Sequence, residues 1–355
     1  MYKPCEYAPL VRRFTRLPGA GSARAARNAD RLVNRFWDYP GHLRGRAREF
    51  AGFHVCDHSY AHLVHELPPD RTGVYCHDLD TFRCLLDPQS ERRPAWFRAM
   101  TRRILTGFQK AALVFCSTGV MLRRIARAGL VDPARLVYAP YGISRELTPE
   151  EDGANDGGVI ENLRIRAPFV LHVGSCIPRK RIDILLEVFA AVRRELPHLM
   201  LVQVGGLWSS EQAKQIQQLR LASAIRQVRG LDRRALAALY RRAALVLLPS
   251  EAEGFGLPVI EALACGSMVV ASDIPVLREV GGPGAVYCPV ADFPRWVETV
   301  KRLLANPASA PPVAVRLERA RTFSWETHAR TIFHAYERLG SISRELRSCA
   351  ESPAY

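Results

Sequence analysis

From residue 167 to residue 272 the sequence alternates short apolar runs with amphipathic segments, and this alternation constrains the fold more than any other feature. The apolar runs have the length and composition of strands buried on both faces. The segment 182–196 repeats its apolar residues at the spacing of one helix face. Strands that alternate with helices predict a parallel sheet covered by helices on both sides. The predicted strands are 167–175, 198–206, 224–230, 243–250 and 267–272, and the predicted helices are 182–196, 231–243 and 258–266.

The first half of the chain has a similar but less regular pattern. The stretch 147–162 between the halves is acidic and glycine-rich without periodicity, which is typical of an interdomain linker. We therefore predict an α/β protein of two Rossmann-like domains facing across a cleft, because parallel sheets bind ligands at the carboxyl ends of their strands. The predicted strands of the first half are 50–57, 71–78, 111–118 and 135–142, with helices near 95–110 and 119–129.

The chain carries a net charge of +15, most of it in the first 150 residues. This excess indicates an anionic partner such as a phosphate or an anionic lipid surface, although solvated arginines explain the composition equally well. Nucleic acid is not expected, because no RNP motif, zinc finger or basic-aromatic stripe accompanies the charge. The nine cysteines form no CxxC pair and lie mostly in apolar runs, which favours reduced thiols over disulfides or a zinc site.

A tight turn after the strand at 243–250 places Glu253 and Glu261 on either side of the tetrapeptide GFGL at 254–257. Phe255, within the tetrapeptide, is expected at the surface. A helix N-terminus presents unpaired N–H groups, and glycine lets the backbone approach a ligand closely, so the turn fits an anion or a sugar. Ionised carboxylates bind hydroxyl pairs strongly. A capping turn with two solvated glutamates is the alternative and explains the spacing as well.

A second polar cluster is GSCIPRKR at 174–181, between a strand end and a helix. It places Arg179 and Lys180 at the same carboxyl edge of the predicted sheet as the glutamate turn. Two cations there fit a diphosphate, whose negative charge must be stabilised when it leaves. A solvated helix start is the alternative. Cations are unfavourable at the positive end of a helix dipole, however, so their presence there favours a binding role.

These two clusters, in this order, make the second half resemble the GT-B-fold retaining glycosyltransferases of family 4, the glycosyl transferases group 1. The resemblance covers nearly all of 167–285 and rests on E-x7-E from Glu253 to Glu261, with GFGLP inside it, and on PRK ahead of a helix. The first half resembles the family's acceptor domain less closely, through FHVCDHSYAHLV, YCHDLDTFR and APYGIS. The implied division is 1–150 for the acceptor, 151–324 for the nucleotide sugar, and a helix at 325–340 that returns to the first domain.

The resemblance implies retaining transfer of a hexose from a nucleotide-sugar donor, without a metal or another cofactor. By position, Glu261 would hold the ribose hydroxyls and Glu253 the hydroxyls of the donor sugar. Arg179 and Lys180 would bind the diphosphate, and the nucleobase would lie near Gly205 and the loop 230–232. The implied donor-binding set is Gly174, Arg179, Lys180, Gly205, Leu231, Glu253, Gly254, Phe255, Gly256, Leu257 and Glu261, and the implied catalytic set is His77, Arg179, Lys180 and Glu253.

His77 matches the histidine that family members place over the reacting sugar. Taken alone, a histidine that ends a strand is more often structural. The next residues, Asp78 and Asp80, form a D-x-D pattern that holds a divalent ion in another glycosyltransferase fold. Two carboxylates alone do not make a metal site, so none is expected here.

Two features depart from the family's pattern. The family usually begins with an apolar strand and a glycine-rich loop, whereas here Gly19 and Gly21 follow a basic stretch with no strand before them. Ser175 replaces the arginine that often follows the strand glycine, so the phosphate role falls to Arg179 with Lys180. The first departure favours the alternative function, a catalytically inactive protein that binds nucleotide sugars or a membrane surface.

The leading hypothesis is a glycosyltransferase with a polysaccharide or lipid-linked acceptor and GDP-mannose or a UDP-sugar as donor. No apolar run of 18 residues and no signal peptide is evident, so we expect a cytoplasmic protein. Peripheral contact with the cytoplasmic face of the inner membrane is left open through the basic helix 96–110. Packing of its apolar face into the first domain is the alternative. That face comprises Phe97, Ile104, Leu105 and Phe108.

Overall fold

The computed structural model describes residues 11–16, 24–150, 153–165 and 168–351, and these residues form two compact units. The first unit comprises the chain up to Cys116, Arg124–Val137 and the chain from Ile332 onward. The second comprises Ser117–Arg123 and Tyr138–Thr331. Each unit is built on its own sheet, which confirms the predicted α/β class with two parallel sheets.

The first half of the chain contributes a four-stranded sheet, and all four strands lie where the sequence predicted them. The strands are β1 (Phe53–Val55), β2 (Thr72–Cys76), β3 (Leu113–Cys116) and β4 (Leu136–Tyr138), in that order across the sheet. The pairs β1–β2 and β2–β3 are parallel. The helices of this half are α1 (Arg24–Val33), α2 (Tyr39–Arg44), α3 (Arg83–Leu86), α4 (Ala95–Lys110) and α5 (Gly119–Arg127).

Before β1 the chain is continuously helical over residues 24–44. A π-helical stretch at Asn34–Asp38 joins α1 to α2. The buried carboxylate of Asp30 fixes the chain ahead of α1. It accepts the backbone N–H groups of Arg13 at 2.8 Å and Phe14 at 2.9 Å, and the hydroxyl of Thr15 at 2.7 Å. No strand precedes β1 among the described residues, so the described part of this half begins with helices.

The second unit contains a six-stranded sheet with the order β10-β9-β8-β5-β6-β7. Its strands are β5 (Phe169–Gly174), β6 (Met200–Gly205), β7 (Ile225–Val228), β8 (Leu245–Leu248), β9 (Val269–Ser272) and β10 (Val286–Cys288). All of its strand pairs are parallel. The helices of this half of the chain are α6 (Gly153–Asn162), α7 (Ile182–Arg193), α8 (Ser210–Gln218), α9 (Arg233–Arg242), α10 (Leu257–Ala264), α11 (Pro275–Gly281), α12 (Phe293–Ala305), α13 (Val313–Arg321) and α14 (Trp325–Glu351).

The strands of this sheet are apolar throughout because both of its faces are buried. Successive residues of a strand point to opposite faces. In β5, Leu171 therefore belongs to one buried cluster, with Val246 and Ile260, and Val170 belongs to the other, with Leu185. Each cluster is covered by helices, and the carboxyl ends of the strands are the edge at which polar groups gather.

The acidic stretch 147–162 is not an irregular linker, as its composition predicted, because it contains α6. The side chain of Asp156 is 1% exposed and forms a two-pronged ion pair with Arg241 of α9, with both N–O distances 2.6 Å. Arg241 also donates to the carbonyl of Thr148 at 3.1 Å. Tertiary pairing thus holds a glycine-rich sequence in a helix that its intrinsic propensity disfavours.

The last helix, α14, begins in the second unit, and its residues from Ile332 onward belong to the first. There the hydroxyl of Tyr336 donates to the carbonyl of Phe53 at 2.6 Å, and its ring lies 5.7 Å from that of Phe115. A Cβ at Gly73 would lie 2.3 Å from the Tyr336 hydroxyl, so this tyrosine occupies the space that a larger residue in β2 would need.

We expect Asp156→Ala to lower the free energy of unfolding by about 3–5 kcal/mol, because it leaves the guanidinium of Arg241 buried without its counterion. Urea denaturation followed by circular dichroism measures the change. The control is Glu161→Ala, an exposed residue of the same helix. Equal stability of the two variants would contradict the anchoring role of this ion pair.

Candidate functional site

The glutamate turn connects β8 to α10. Gly256 precedes α10 with φ of 94° and ψ of 46°, a left-handed conformation that favours glycine. A Cβ there would also lie 2.6 Å from Leu277 Cδ2, so both the backbone and the packing require glycine at this position. Pro258 then occupies the first turn of the helix, where its missing N–H costs nothing. The backbone conformation of the turn is therefore fixed by Gly256 and Pro258.

The carboxylate of Glu253 is enclosed between two cations. Its Oε1 lies 2.5 Å from Lys180 Nζ and its Oε2 lies 3.4 Å from Arg179 Nη1. The Glu253 side chain is only 5% exposed, that of Lys180 11% and that of Arg179 29%. Because the three groups carry one negative and two positive charges, the cluster has a net charge of about +1.

Two hydrogen bonds to backbone carbonyls tie the two loops that carry these charges. The Glu251 N–H donates to the Arg179 carbonyl at 2.9 Å, and Arg179 Nη1 donates to the Ala252 carbonyl at 2.9 Å. The structure thus brings together the residues that the sequence placed at one sheet edge. It also gives the reason for cations at the start of α7, because an enclosed carboxylate faces them.

Glu261 lies on α10 and is paired with a residue that sequence reasoning missed. The hydroxyl of Tyr240, which is fully buried, donates to Glu261 Oε2 at 2.8 Å. Burial raises the pKa of Glu261, although the Tyr240 hydrogen bond and the charge of Arg233 act in the opposite direction. The only sequence signal for Tyr240 was a tyrosine on the apolar face of the helix before β8.

Phe255 does not lie at the surface, where the sequence predicted it. It is 4% exposed, and its ring packs edge-on against Tyr141 at 4.9 Å and Phe323 at 5.6 Å. The GFGL tetrapeptide has two apolar side chains, and the turn buries this one to anchor itself in the core. Leu257 is 38% exposed, and Leu231 is half-buried against one of the apolar clusters.

A chain of side-chain amides, one buried and one half-buried, holds the carboxyl ends of three neighbouring strands. Gln203 donates to the Gly174 carbonyl at 2.9 Å. Gln227 donates to the side-chain oxygen of Gln203 at 3.1 Å and to the Gly206 carbonyl at 2.8 Å. Gly174 and Gly205, both predicted site residues, are paired in register at this edge. Sequence reasoning missed the two glutamines, although a glutamine inside an apolar strand is a signal of a buried polar contact.

His77 lies in the first unit, directly after β2. Its Nε2–H donates to the Cys56 carbonyl at 2.8 Å, and its backbone N–H donates to Nδ1 of His58 at 3.3 Å. Asp78 Oδ1 accepts the N–H of Asp80 at 3.0 Å, so this carboxylate closes a local turn. In the part of the chain that the structure describes, no group of three or more His, Cys, Asp or Glu side chains is arranged to hold a metal ion.

Two residues of the apolar face of α4 pack into the first unit, since Ile104 is 5% exposed and Phe108 is completely buried. The other two, Phe97 and Leu105, are half-buried. Trp96, at the beginning of α4, is 60% exposed. Throughout the described ranges, no helix combines the length and the apolar character needed to cross a bilayer.

Comparison with protein families and curated proteins connects this geometry to a known group. Residues 160–320 match the family described as glycosyl transferases group 1. The chain is 29% identical over 228 residues to a D-inositol 3-phosphate glycosyltransferase of Kineococcus radiotolerans, covering 58% of this chain and 52% of that protein. It is 27% identical over 299 residues to the serotype-specific mannosyltransferase WbdA of Escherichia coli, covering 78% of this chain and 34% of that protein. The chain thus spans about half the length of the first relative and about a third of the second.

Solved structures with low sequence identity share the fold. The sucrose-phosphate synthase of Thermosynechococcus elongatus superposes with a TM-score of 0.66 at 22% identity, over 88% of this chain and 78% of that one. Anabaena Alr3699/HepE in complex with UDP and glucose gives 0.71 at 16% identity, over 86% and 82%. WaaG, a glycosyltransferase involved in lipopolysaccharide biosynthesis, gives 0.64 at 16% identity, over 88% and 83%. These similarities confirm the predicted GT-B fold class.

We expect Glu261→Gln to stabilise the unliganded protein more at about pH 7.5 than at about pH 4. The folded chain holds the Glu261 proton more tightly than the unfolded chain. Stability of the wild type therefore falls as pH rises from the ordinary glutamate range through the raised pKa of Glu261, and it stays lower above that pKa. The glutamine does not titrate and can still accept from Tyr240.

Urea denaturation at the two pH values, with wild type and variant measured together, tests this effect. The control is Glu187→Gln, an exposed glutamate of α7. A Glu261→Gln benefit that is the same at both pH values would show that burial does not raise this pKa.

Proposed function

Because residues 160–320 match the glycosyl transferases group 1 and the chain shares the GT-B fold, we propose that it moves a hexose from a nucleoside diphosphate sugar to a glycan or lipid-linked acceptor, with retention of configuration and without a metal. Transfer of a sugar is common to the named relatives. The observation that carries the finer proposal is the enclosed cluster of Glu253, Lys180 and Arg179. It offers a carboxylate for sugar hydroxyls and a surplus positive charge for phosphate at one sheet edge.

The pairing within this cluster supports the proposed division of roles. Before a donor binds, Glu253 serves as the counterion of Lys180 and Arg179. A diphosphate brings more negative charge than one carboxylate and binds the same cations. Glu253 is then available to accept hydrogen bonds from the hydroxyls of the donor sugar. In both states Lys180 and Arg179 thus face an anionic group, and the site avoids an enclosed cation without an anionic partner.

The proposed chemistry needs positioning and electrostatics more than a protein nucleophile. The bond between the anomeric carbon and a diphosphate oxygen breaks, and the acceptor oxygen bonds to that carbon on the face that the diphosphate leaves. The acceptor proton moves to the departing diphosphate oxygen. Lys180 and Arg179 stabilise the charge that develops there. The role of His77 over the reacting sugar rests on the family resemblance alone.

The ribose would be held by Glu261, whose carboxylate Tyr240 already fixes by a hydrogen bond. A carboxylate that is mostly enclosed and held by one donor has a second oxygen available for a hydroxyl pair. The nucleobase would lie beside Gly205 and Leu231, next to the ends of β6 and β7. We favour mannose from GDP-mannose, with a UDP-sugar as the other donor. One relative is named as a mannosyltransferase, and one solved relative holds UDP and glucose.

We expect a nucleoside diphosphate or nucleotide sugar of the correct base to raise the thermal unfolding temperature. A ligand at a hundred times its Kd stabilises the folded chain by about 2.7 kcal/mol, which differential scanning fluorimetry detects. The panel is GDP, UDP, GDP-mannose and UDP-glucose. Lys180→Met and Glu261→Ala should abolish most of the shift, because they remove the phosphate and ribose contacts.

Lys214→Met, a change of an exposed lysine on α8, is the matched control and should keep the full shift. No stabilisation of the wild type by any member of the panel would contradict the proposed donor site. Stabilisation by a nucleotide sugar without release of its sugar to water or to glycan acceptors would instead favour an inactive binding protein.

Sugar transfer or donor hydrolysis should persist in excess EDTA, because lysine and arginine supply the positive charge that a metal supplies in other glycosyltransferases. Release of nucleoside diphosphate, measured by a coupled assay with and without chelator, tests this expectation. Strict dependence on added Mn²⁺ would contradict it and direct attention to Asp78 and Asp80, with Asp78→Asn as the follow-up variant.

A further inference from the structure

His172 lies inside β5, close to its carboxyl end, and sequence reasoning gave it no role. Its strand lies between β8 and β6 in the sheet, and His172 is paired in register with Gln203. Only 1% of the residue is exposed. An imidazole in the centre of a parallel sheet is unusual because apolar residues fill the neighbouring positions of the strand, so its retention calls for a physical reason.

Neither ring nitrogen of His172 has a hydrogen-bond partner within the described ranges, and Nδ1 is completely enclosed. An enclosed polar group without a partner costs free energy, and natural structures seldom keep one without a use. Orphaned N–H groups are rarer than orphaned acceptors, so we assign the ring proton to Nε2 and leave Nδ1 as a bare lone pair. The unmet donor is then Nε2–H.

The Nε2 edge of the ring faces the phosphate side of the site. A Cβ built on Gly174 would lie 3.5 Å from His172 Cε1, 3.8 Å from Nε2 and 3.8 Å from Lys180 Cε. His172 and Lys180 therefore flank the same point above Gly174. Gly174 has φ of 155° and no side chain, so it does not cover the edge of the imidazole. An oxygen bound at this point would meet Lys180 and the Nε2–H together.

The charge of His172 is fixed by the same neighbours. Burial lowers its pKa, and the nearby Lys180 ammonium lowers it further, to about 3. His172 is therefore neutral at ordinary pH, and it adds a directional donor without adding a third positive charge. Lys180 thus supplies positive charge to the site, and the neutral His172 ring supplies a hydrogen-bond donor of fixed direction.

We propose that His172 is a ligand of the donor diphosphate and donates its Nε2–H to a phosphate oxygen bound between Gly174 and Lys180. This inference rests on the proposed function, since it assigns one further contact within the same phosphate site. Phosphate oxygens suit this donor because they are strong acceptors, and the neighbouring ammonium already selects for negative charge. The contact makes His172 a binding residue that selects diphosphates over the bare nucleoside.

The test compares what the phosphates contribute to affinity in wild type and variants. Isothermal titration of guanosine, GDP, uridine and UDP gives the ratio of nucleoside Kd to diphosphate Kd for the base that binds. His172→Phe keeps a ring of similar size and removes both nitrogens, and we expect it to lower this ratio by roughly tenfold or more. His172→Gln restores a donor at the position of Nε2, and it should recover most of the ratio. His198→Phe, a change of an exposed histidine in the same unit, should leave the ratio unchanged.

An unchanged ratio in His172→Phe would overturn the proposal, and so would an equal loss of nucleoside and diphosphate affinity, which marks a purely structural role. Failure of the wild type to bind GDP or UDP would refute the proposed function, which is a different outcome from a loss seen only in the His172 variant.

If His172→Phe does not fold, ring ¹⁵N spectra of the wild type test the proposal instead. The His172 Nε2–H signal, assigned with the glutamine variant, should shift on addition of the diphosphate and not of the nucleoside. A signal that stays in place for both overturns the proposal.

Discussion

The carboxylate of Glu253 makes two loops into one site. It is enclosed between Lys180 and Arg179. The same two loops are also joined by the Glu251 N–H and the Arg179 guanidinium, which donate to backbone carbonyls. Without the carboxylate, two cations would stand beside each other at the start of a helix, where the local dipole is also positive. The internal counterion lets the fold hold an excess of positive charge at the proposed phosphate site while no ligand is bound.

The same need for charge compensation shapes the second unit away from the site. Asp156 and Arg241 form a buried pair that fastens α6 to α9, and the pair is shielded from water on both sides. Such a pair adds little over an apolar contact, but it becomes costly when one partner is lost. Its effect is to specify where a glycine-rich helix docks, and that segment has few apolar residues to do so.

The sequence was sufficient to predict the parts of the fold that depend on periodicity. The strands β5 to β9 and the helices α7, α9 and α10 lie where the apolar pattern placed them, because a parallel sheet with two covered faces imposes that pattern. Asp232 caps α9 and accepts the N–H of Ala235 at 2.8 Å. Motif spacing likewise identified the charged cluster, since residues that follow parallel strands meet at one edge.

Tertiary contacts decided the features that the sequence did not predict. Nothing local distinguishes the buried Phe255 from a surface residue, because its burial depends on Tyr141 and Phe323, which are far away in the chain. The partnership of Tyr240 with Glu261 joins two helices and has no sequence spacing of its own. Whether the His172 ring has a hydrogen-bond partner depends on the residues around it. The apolar pattern of the strand indicates only that this position is buried.

The amide chain through Gln227 and Gln203 has a mechanical consequence for the proposed nucleotide site. It couples the outermost strand β7 to the carbonyl of Gly174, two strands away. Leu231, where the base is proposed to lie, follows β7 directly, whereas Gly174 borders the proposed phosphate contacts. A displacement of β7 would therefore strain the hydrogen bonds that reach the Gly174 carbonyl, so the base end and the phosphate end of the proposed nucleotide site are mechanically linked.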